Sequence, residues 1–149
     1  MPTPLNYTTL SAAQGKGRYV EVDANGVIPN IAFYRQIIPK TASFTVLRTQ
    51  SGAVFTTTGA TAAVNFTLPA INTGPWWFEF FNGADQSMTV TSGTADTIVT
   101  FNDLQADSVA FSTASEKIGG HIIAFTDGTT LFVVAHPAKE SQHITIATA

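Results

Sequence analysis

Three histidines, at 121, 136 and 143, are the metal-competent nitrogen ligands of this chain. His136 and Glu140 have the spacing that puts two ligands on one helical face, but Pro137 stands between them and opposes a helix. A cupin-type site needs a close His-x-His with a nearby Glu on jelly-roll strands, and the chain has none. The histidines therefore read as surface or interface residues, and neither metal nor cofactor is expected. Asp96, Asp103 and Asp107, with Asn102 among them, are carboxylates in a turn-rich stretch. A calcium loop takes oxygens at tightly alternating positions. These are spaced too widely, and capping of turns suits them better. Glu79 and Asp85 have the residue types of a glycosidase pair. The simpler role for Glu79 is an ion pair with Arg35, Arg48 or a neighbouring subunit. No G-x-S-x-G elbow and no phosphate-binding glycine loop occurs, so catalysis is not expected.

The remaining chemistry is aromatic. Trp76 and Trp77 open the run WWFEFF, Trp76–Phe81, with Glu79 its lone charge. Adjacent strand residues point to opposite faces, so one indole is expected to fill the core and the other to face outward. The outward ring suits a subunit interface or a sugar-stacking platform. Because the strand is apolar on both sides, both faces are expected to be covered, and Trp76, Trp77 and Glu79 are the candidate subunit-interface residues.

These residues must be carried by strands. From Thr41 to Ala135 the chain runs in short Thr-, Val- and Phe-rich segments broken by Gly, Asn-Gly, Asp-Gly and Leu-Pro-Ala. Ser43–Thr49, Ala53–Thr57, Val64–Leu68, Trp76–Phe81, Met88–Thr91, Thr97–Phe101 and Val109–Thr113 read as strands. Asn82-Gly83 is expected to turn Trp76–Phe81 back onto Met88–Thr91. Gly120–Thr126, Asp127-Gly128 and Thr130–Ala135 form a further hairpin, and Ile144–Ile146 is a short strand. Asn102–Ala106 is expected to make a single turn. Earlier, Tyr19–Asp23 and Val27-Ile28 flank Asn25-Gly26 as a hairpin, with Ile31–Ile38 as another strand. The expected core comprises Phe66, Leu68, Phe78, Phe80, Phe125 and Val133. Strand spacing of this kind predicts an all-β fold: one antiparallel β-sandwich or jelly-roll-like domain over residues 18–149, with an extended N-terminal arm at residues 1–17. In the arm, Pro2 and Pro4 oppose regular structure, Gly15-Lys16-Gly17 is a joint, and Leu5, Tyr7 and Leu10 are the apolar anchors. Such a segment either stays a loose tail or orders on a neighbour.

Composition narrows the function. The chain of 149 residues is 44% hydrophobic but only 11% charged, against ~25% in typical domains. Either partner subunits cover much of the surface or hydroxyls keep it soluble; the 23 threonines suit the solvated face of a sheet. The formal net charge of −3 and scattered cations give no nucleic-acid footprint. There is no cysteine, which fits assembly in a reducing cytoplasm. The first residues lack a basic region followed by an apolar one, so no signal peptide is expected. No apolar run approaches the ~20 residues of a membrane helix.

Residues 46–81 and 109–134 carry a resemblance. The series Leu47, Ser51-Gly52, Phe55, Gly59-Ala60, Val64-Asn65-Phe66-Thr67-Leu68-Pro69-Ala70, Gly74 and Phe78-Glu79-Phe80 resembles a β-module of tailed-bacteriophage virion proteins. Gly119-Gly120, Ile122-Ile123, Phe125, Asp127-Gly128-Thr129 and Leu131-Phe132-Val133-Val134 resemble the end of that module. Many members have Trp in the last strand, where this chain has Phe132. The resemblance implies a trimeric virion structural protein without enzymatic activity, most like a capsid decoration (cement) protein on the outer capsid surface. Its partners would be the major capsid protein, reached through Leu5, Tyr7 and Leu10, and two further copies of itself. A head- or tail-fibre module that binds host glycans is the alternative.

Overall fold

The structure is a computed structural model that describes residues 35–95, 97–112 and 117–147, all within one compact unit, Arg35–Ala149. The expected arm, with Leu5, Tyr7 and Leu10, and the Asn25-Gly26 hairpin lie outside the described residues. The strands are β1 (Ile37–Pro39), β2 (Phe44–Thr45), β3 (Val54–Thr56), β4 (Val64–Thr67), β5 (Trp76–Phe81), β6 (Met88–Thr91), β7 (Ile98–Thr100), β8 (Asp103–Ala106), β9 (Ser108–Phe111), β10 (His121–Thr126), β11 (Leu131–His136) and β12 (Ile144–Ala147). They form a seven-stranded sheet, ordered β1-β3-β5-β10-β11-β7-β8, and a five-stranded sheet, ordered β12-β9-β6-β4-β2. The fold is all-β, as expected, but the sheets are mixed rather than antiparallel.

The parallel pairs arise at the start. From β1 to β6 the chain alternates between the sheets, and each strand lies beside its previous pass in the same direction. Thus β1, β3 and β5 are parallel neighbours in one sheet, and β2, β4 and β6 in the other. A parallel pair needs a long crossover; here a strand of the opposite sheet supplies it. The chain winds as a roll to β6, and β10 and β11 later enter the larger sheet between β5 and β7 as an antiparallel hairpin.

Asn82-Gly83 shows why the expected β5–β6 hairpin gives way. Asn82 is fully buried at the corner where the chain leaves one sheet for the other. Its side-chain amide donates to the carbonyls of Gln86 and Lys117, each at 2.9 Å, while its Oδ1 accepts the Thr57 hydroxyl of the preceding corner. Its backbone N–H and C=O bond to Gly120 and Gly119. Gly83 is needed for close approach: a Cβ there would lie 3.2 Å from the Thr58 backbone and still nearer its hydroxyl. The dipeptide is thus a buried sheet-to-sheet corner.

Register builds the core in rows. In the larger sheet Phe55, Phe80, Ile122 and Ala135 share one row, and Phe78, Ala124 and Val133 the next. In the smaller sheet Phe44, Phe66, Val90, Val109 and Ile146 line up. The sheets meet through Phe55–Phe66 and Phe66–Phe80, with ring centroids 5.7 and 5.0 Å apart. Phe66, Leu68, Phe78, Phe80 and Val133 are buried as expected. Phe125 is not: it is 40% exposed, because Ile122, Ala124 and Thr126 take the inward positions of β10. Ser43–Thr49 also departs from its expected strand, pairing only at Phe44–Thr45 before a short 3-10 turn at Arg48–Gln50. Asn102–Ala106 is not a single turn, since Asp103–Ala106 pairs with β7. No described helix is long and apolar enough to cross a membrane.

Candidate functional site

The two sheets turn different residues outward. On the five-stranded sheet, register puts Asn65, Thr89, Ala110 and Thr145 in one outer row, and Thr45, Thr67, Thr91, Ser108 and Ala147 in the next. The hydroxyls bond across strands, as when Thr91 donates to Asn65 Oδ1 at 2.7 Å. On the seven-stranded sheet the outer rows are Trp77, Phe125, Phe132 and Val99; then Ile37, Val54, Glu79, Ile123 and Val134; then Pro39, Thr56, Phe81, His121 and His136. Trp77, Phe81, Phe125, Val134 and Ile37 are exposed. Phe125 and Phe132, opposite one another, stack with centroids 5.2 Å apart. The expectation that both faces of β5 are covered therefore holds only for the inner face within the chain.

Of the three candidate interface residues, Trp76 is turned into the core, 3% exposed and packed on Phe78, while Trp77 is 38% exposed. Glu79, two positions beyond Trp77, shares its parity and faces out. Its carboxylate pairs with Arg35 at 2.6 Å, and its other oxygen lies 3.5 Å from His121 Nε2. The Arg35 guanidinium also lies over the Trp77 ring, 5.0 Å from its centroid. Gly52, just before the neighbouring strand, donates its N–H to the Trp77 carbonyl at 2.8 Å. One ion pair thus lies at the centre of an apolar sheet face. His121 and His136 oppose each other at its edge, rings 5.9 Å apart.

Below Trp77 lies an open groove of about 290 Å³, lined by Ser51, Pro75, Trp76, Trp77, Phe125 and Thr126. Its two hydroxyls are engaged, while the buried Trp76 Nε1 has no hydrogen-bond partner. Ser51 Oγ accepts the Trp77 N–H at 3.1 Å and donates to the Trp77 carbonyl, and Thr126 Oγ1 accepts the Gly128 N–H at 3.0 Å. Asp85 is exposed in the corner beyond β5, while Glu79 is held by Arg35 on the sheet face. Among the described residues no group of three or more His, Asp or Glu converges as a metal site requires.

Phe81, Ile123, Phe125, Phe132 and Val134 were missed as surface residues. Their signal was parity: once Asp127-Gly128 fixes the β10–β11 turn, Phe125 and Phe132 share a face opposite to Ala124 and Val133. The chain matches no protein-family model, and no curated protein is similar enough to count as a relative.

Proposed function

We propose that this chain is a structural protein of a tailed-bacteriophage virion: a decoration protein that binds the outer capsid surface as a homotrimer and stabilises the head. The observation that carries the reading is the apolar outer face of the seven-stranded sheet, beside a smaller sheet whose outer face is Thr and Ser. Contiguous exposed apolar surface of this kind marks an interaction site. The resemblance over 46–81 and 109–134 supports the setting, and the two sheets serve as the layers of a β-sandwich. Trp77 and Glu79 lie in the subunit interface, while Trp76 packs in the core on Phe78.

The mechanism is additive burial, without a catalytic step, cofactor, nucleic acid or membrane. A head filled with DNA is under internal pressure, and a trimer bridging capsid subunits adds surface that must separate before they part. Specific contacts of ~800 Å² per partner suffice for each bridge, and repetition over many sites multiplies the effect. Residues 1–17 act as the capsid-binding arm, ordering Leu5, Tyr7 and Leu10 on the major capsid protein. The protein is made in the host cytoplasm and works on the particle.

Light scattering at micromolar concentration tests the trimer; a monomer throughout that range counts against it. A titration onto stripped particles tests the arm: removal of residues 2–15 should leave folding intact and sharply lower occupancy, and equal occupancy overturns the arm's role. A glycan-binding fibre module is the second reading, favoured by Trp77 and Phe125 lying side by side as ring platforms. Chemical-shift changes at Trp77 with simple pyranoses would favour it.

A further inference from the structure

The β7–β8 hairpin presents a feature that the outer-face reading does not use. Thr100 pairs with Asp103, so Phe101 and Asn102 are its two-residue tip. Their φ angles are +40° and +66°, and they are the non-glycine residues of positive φ among the described ones. A type I′ turn requires such values at both positions; Asn tolerates them, whereas a bulky Phe rarely adopts them. Strain of this kind persists where the surroundings or a function hold it. Here the ring gains no burial in return, being 52% exposed, and the following Leu104 is 73% exposed. The hairpin edge is blunted, because the Asp103 carboxylate accepts the Gln105 N–H at 2.9 Å. What the hairpin offers a partner is therefore its side chains.

The groove beside Trp77 and Phe125 is the complementary feature. It is an open, largely apolar groove of about 290 Å³, roomy enough to take an aromatic side chain. An aromatic side chain can lie against the groove's rings while leaving the bonds of Ser51 and Thr126 intact. Charge is complementary too. Arg35, its side chain 51% exposed, stands over Trp77, and Asp103 follows the Phe101 tip by two residues. The hairpin lies beyond β11 and the groove on the β5–β10 side, so the features occupy different parts of the sheet.

Resting on the trimer reading, we propose that Phe101 of one copy seats in the Trp77–Phe125 groove of the next, with Asp103 turned toward that copy's Arg35. Passed head to tail from copy to copy, such a contact is heterologous, and it makes a ring where the rotation closes. The occupant of the groove is thus a second copy of this chain.

Sedimentation of variants tests the proposal. Phe101→Asp and Phe125→Asp are each expected to be monomeric at concentrations where the unaltered protein is trimeric. Mixed in equal amounts, they should give a species of two chains, because one keeps an intact finger and the other an intact groove. Phe101→Gly guards against misfolding: glycine adopts positive φ freely, so this variant should melt no lower than the unaltered protein while losing the trimer. If the unaltered protein is a monomer, the trimer reading fails and this contact with it. If the unaltered protein and Phe101→Gly are both trimers, the contact is wrong and the trimer reading stands. If Phe125→Asp stays trimeric, or both aspartate variants are monomers that form no two-chain species on mixing, the contact is likewise overturned.

Discussion

The outer faces of the two sheets are built on the same strand geometry and cover the same core, yet they meet their surroundings in opposite ways. The smaller sheet spends its threonines there: Thr45, Thr67, Thr89, Thr91 and Thr145 point outward, with Asn65 and Ser108 among them. The larger sheet places Trp77, Phe81, Ile123, Phe125, Phe132 and Val134 in the equivalent positions. Low charge raised two explanations for this chain, hydroxyl-coated solubility and coverage by partners. Hydroxyl coating describes the smaller sheet, and on the larger sheet the outer rows are apolar. Threonine suits a strand and hydrogen-bonds water, while exposed aromatic rows remain unfavourable until something covers them.

The largest effect is expected on the inner face of β5, opposite the exposed rows. Phe80 is fully buried and contacts Phe55 and Phe66 at centroid distances of 5.6 and 5.0 Å. Phe80→Ala should cost about 3–5 kcal/mol through lost transfer energy and the cavity left behind. Urea denaturation measures it, and a loss below about 1 kcal/mol would contradict the packing described.

Next in size is the buried corner. Asn82→Ala strips partners from the Gln86 and Lys117 carbonyls and the Thr57 hydroxyl. Leaving a buried polar group unsatisfied costs about 1–3 kcal/mol, so a loss of about 3 kcal/mol is expected by the same measurement. Asn82→Asp should also destabilise, because a carboxylate cannot donate to the two carbonyls. If alanine at 82 is neutral, this corner is not a clamp.

These two residues also show what the sequence made legible. Parity within WWFEFF correctly put Phe78 and Phe80 inward and split the two indoles between the faces, since period two is a local property. It left open which indole turns in, and Trp76, named as an interface candidate, is the buried one. The Asp127-Gly128 turn correctly joined β10 to β11 for the same reason. Asn82-Gly83 has an equally local turn signature, but its role depends on Thr57 and Lys117, which are remote in sequence. No local pattern separates a hairpin from a sheet-to-sheet corner, and the parallel roll was hidden with it. Phe125 was assigned to the core on hydrophobicity alone, against the parity of its own hairpin.

The outer face itself should bear change with little effect on the isolated fold. Replacing Trp77, Phe125 and Phe132 together with threonine gives the larger sheet the outer chemistry of the smaller one. The circular dichroism should be unchanged and the stability shift within about 1 kcal/mol, as for surface sites, while self-association is lost. Unfolding of the triple variant would mean that these rings hold the sheet together as well as face outward.

The smallest expected effect lies at the β10–β11 tip and concerns acid. The Asp127 carboxyl is pulled from 3.8 down to about 2, first by the Thr129 hydroxyl and then by the backbone N–H groups of Thr130 and Thr129. The bonds are 2.7 Å from the hydroxyl and 2.8 Å from each N–H. A carboxylate held below its unfolded value contributes stability that is fully present above that value and is lost as pH falls through the folded one. For Asp127 the window runs from about pH 4 down to about 2. Its full exposure to solvent keeps the effect small. Carbon-detected NMR titration should show this carboxyl changing near pH 2, and Thr129→Val should return it toward the ordinary carboxylate range by removing the largest cause. Asp127→Asn should flatten the part of the acid-unfolding curve that falls in that window. A carboxyl that titrates near 4 in the unaltered protein would mean the tip is not held by these bonds in solution.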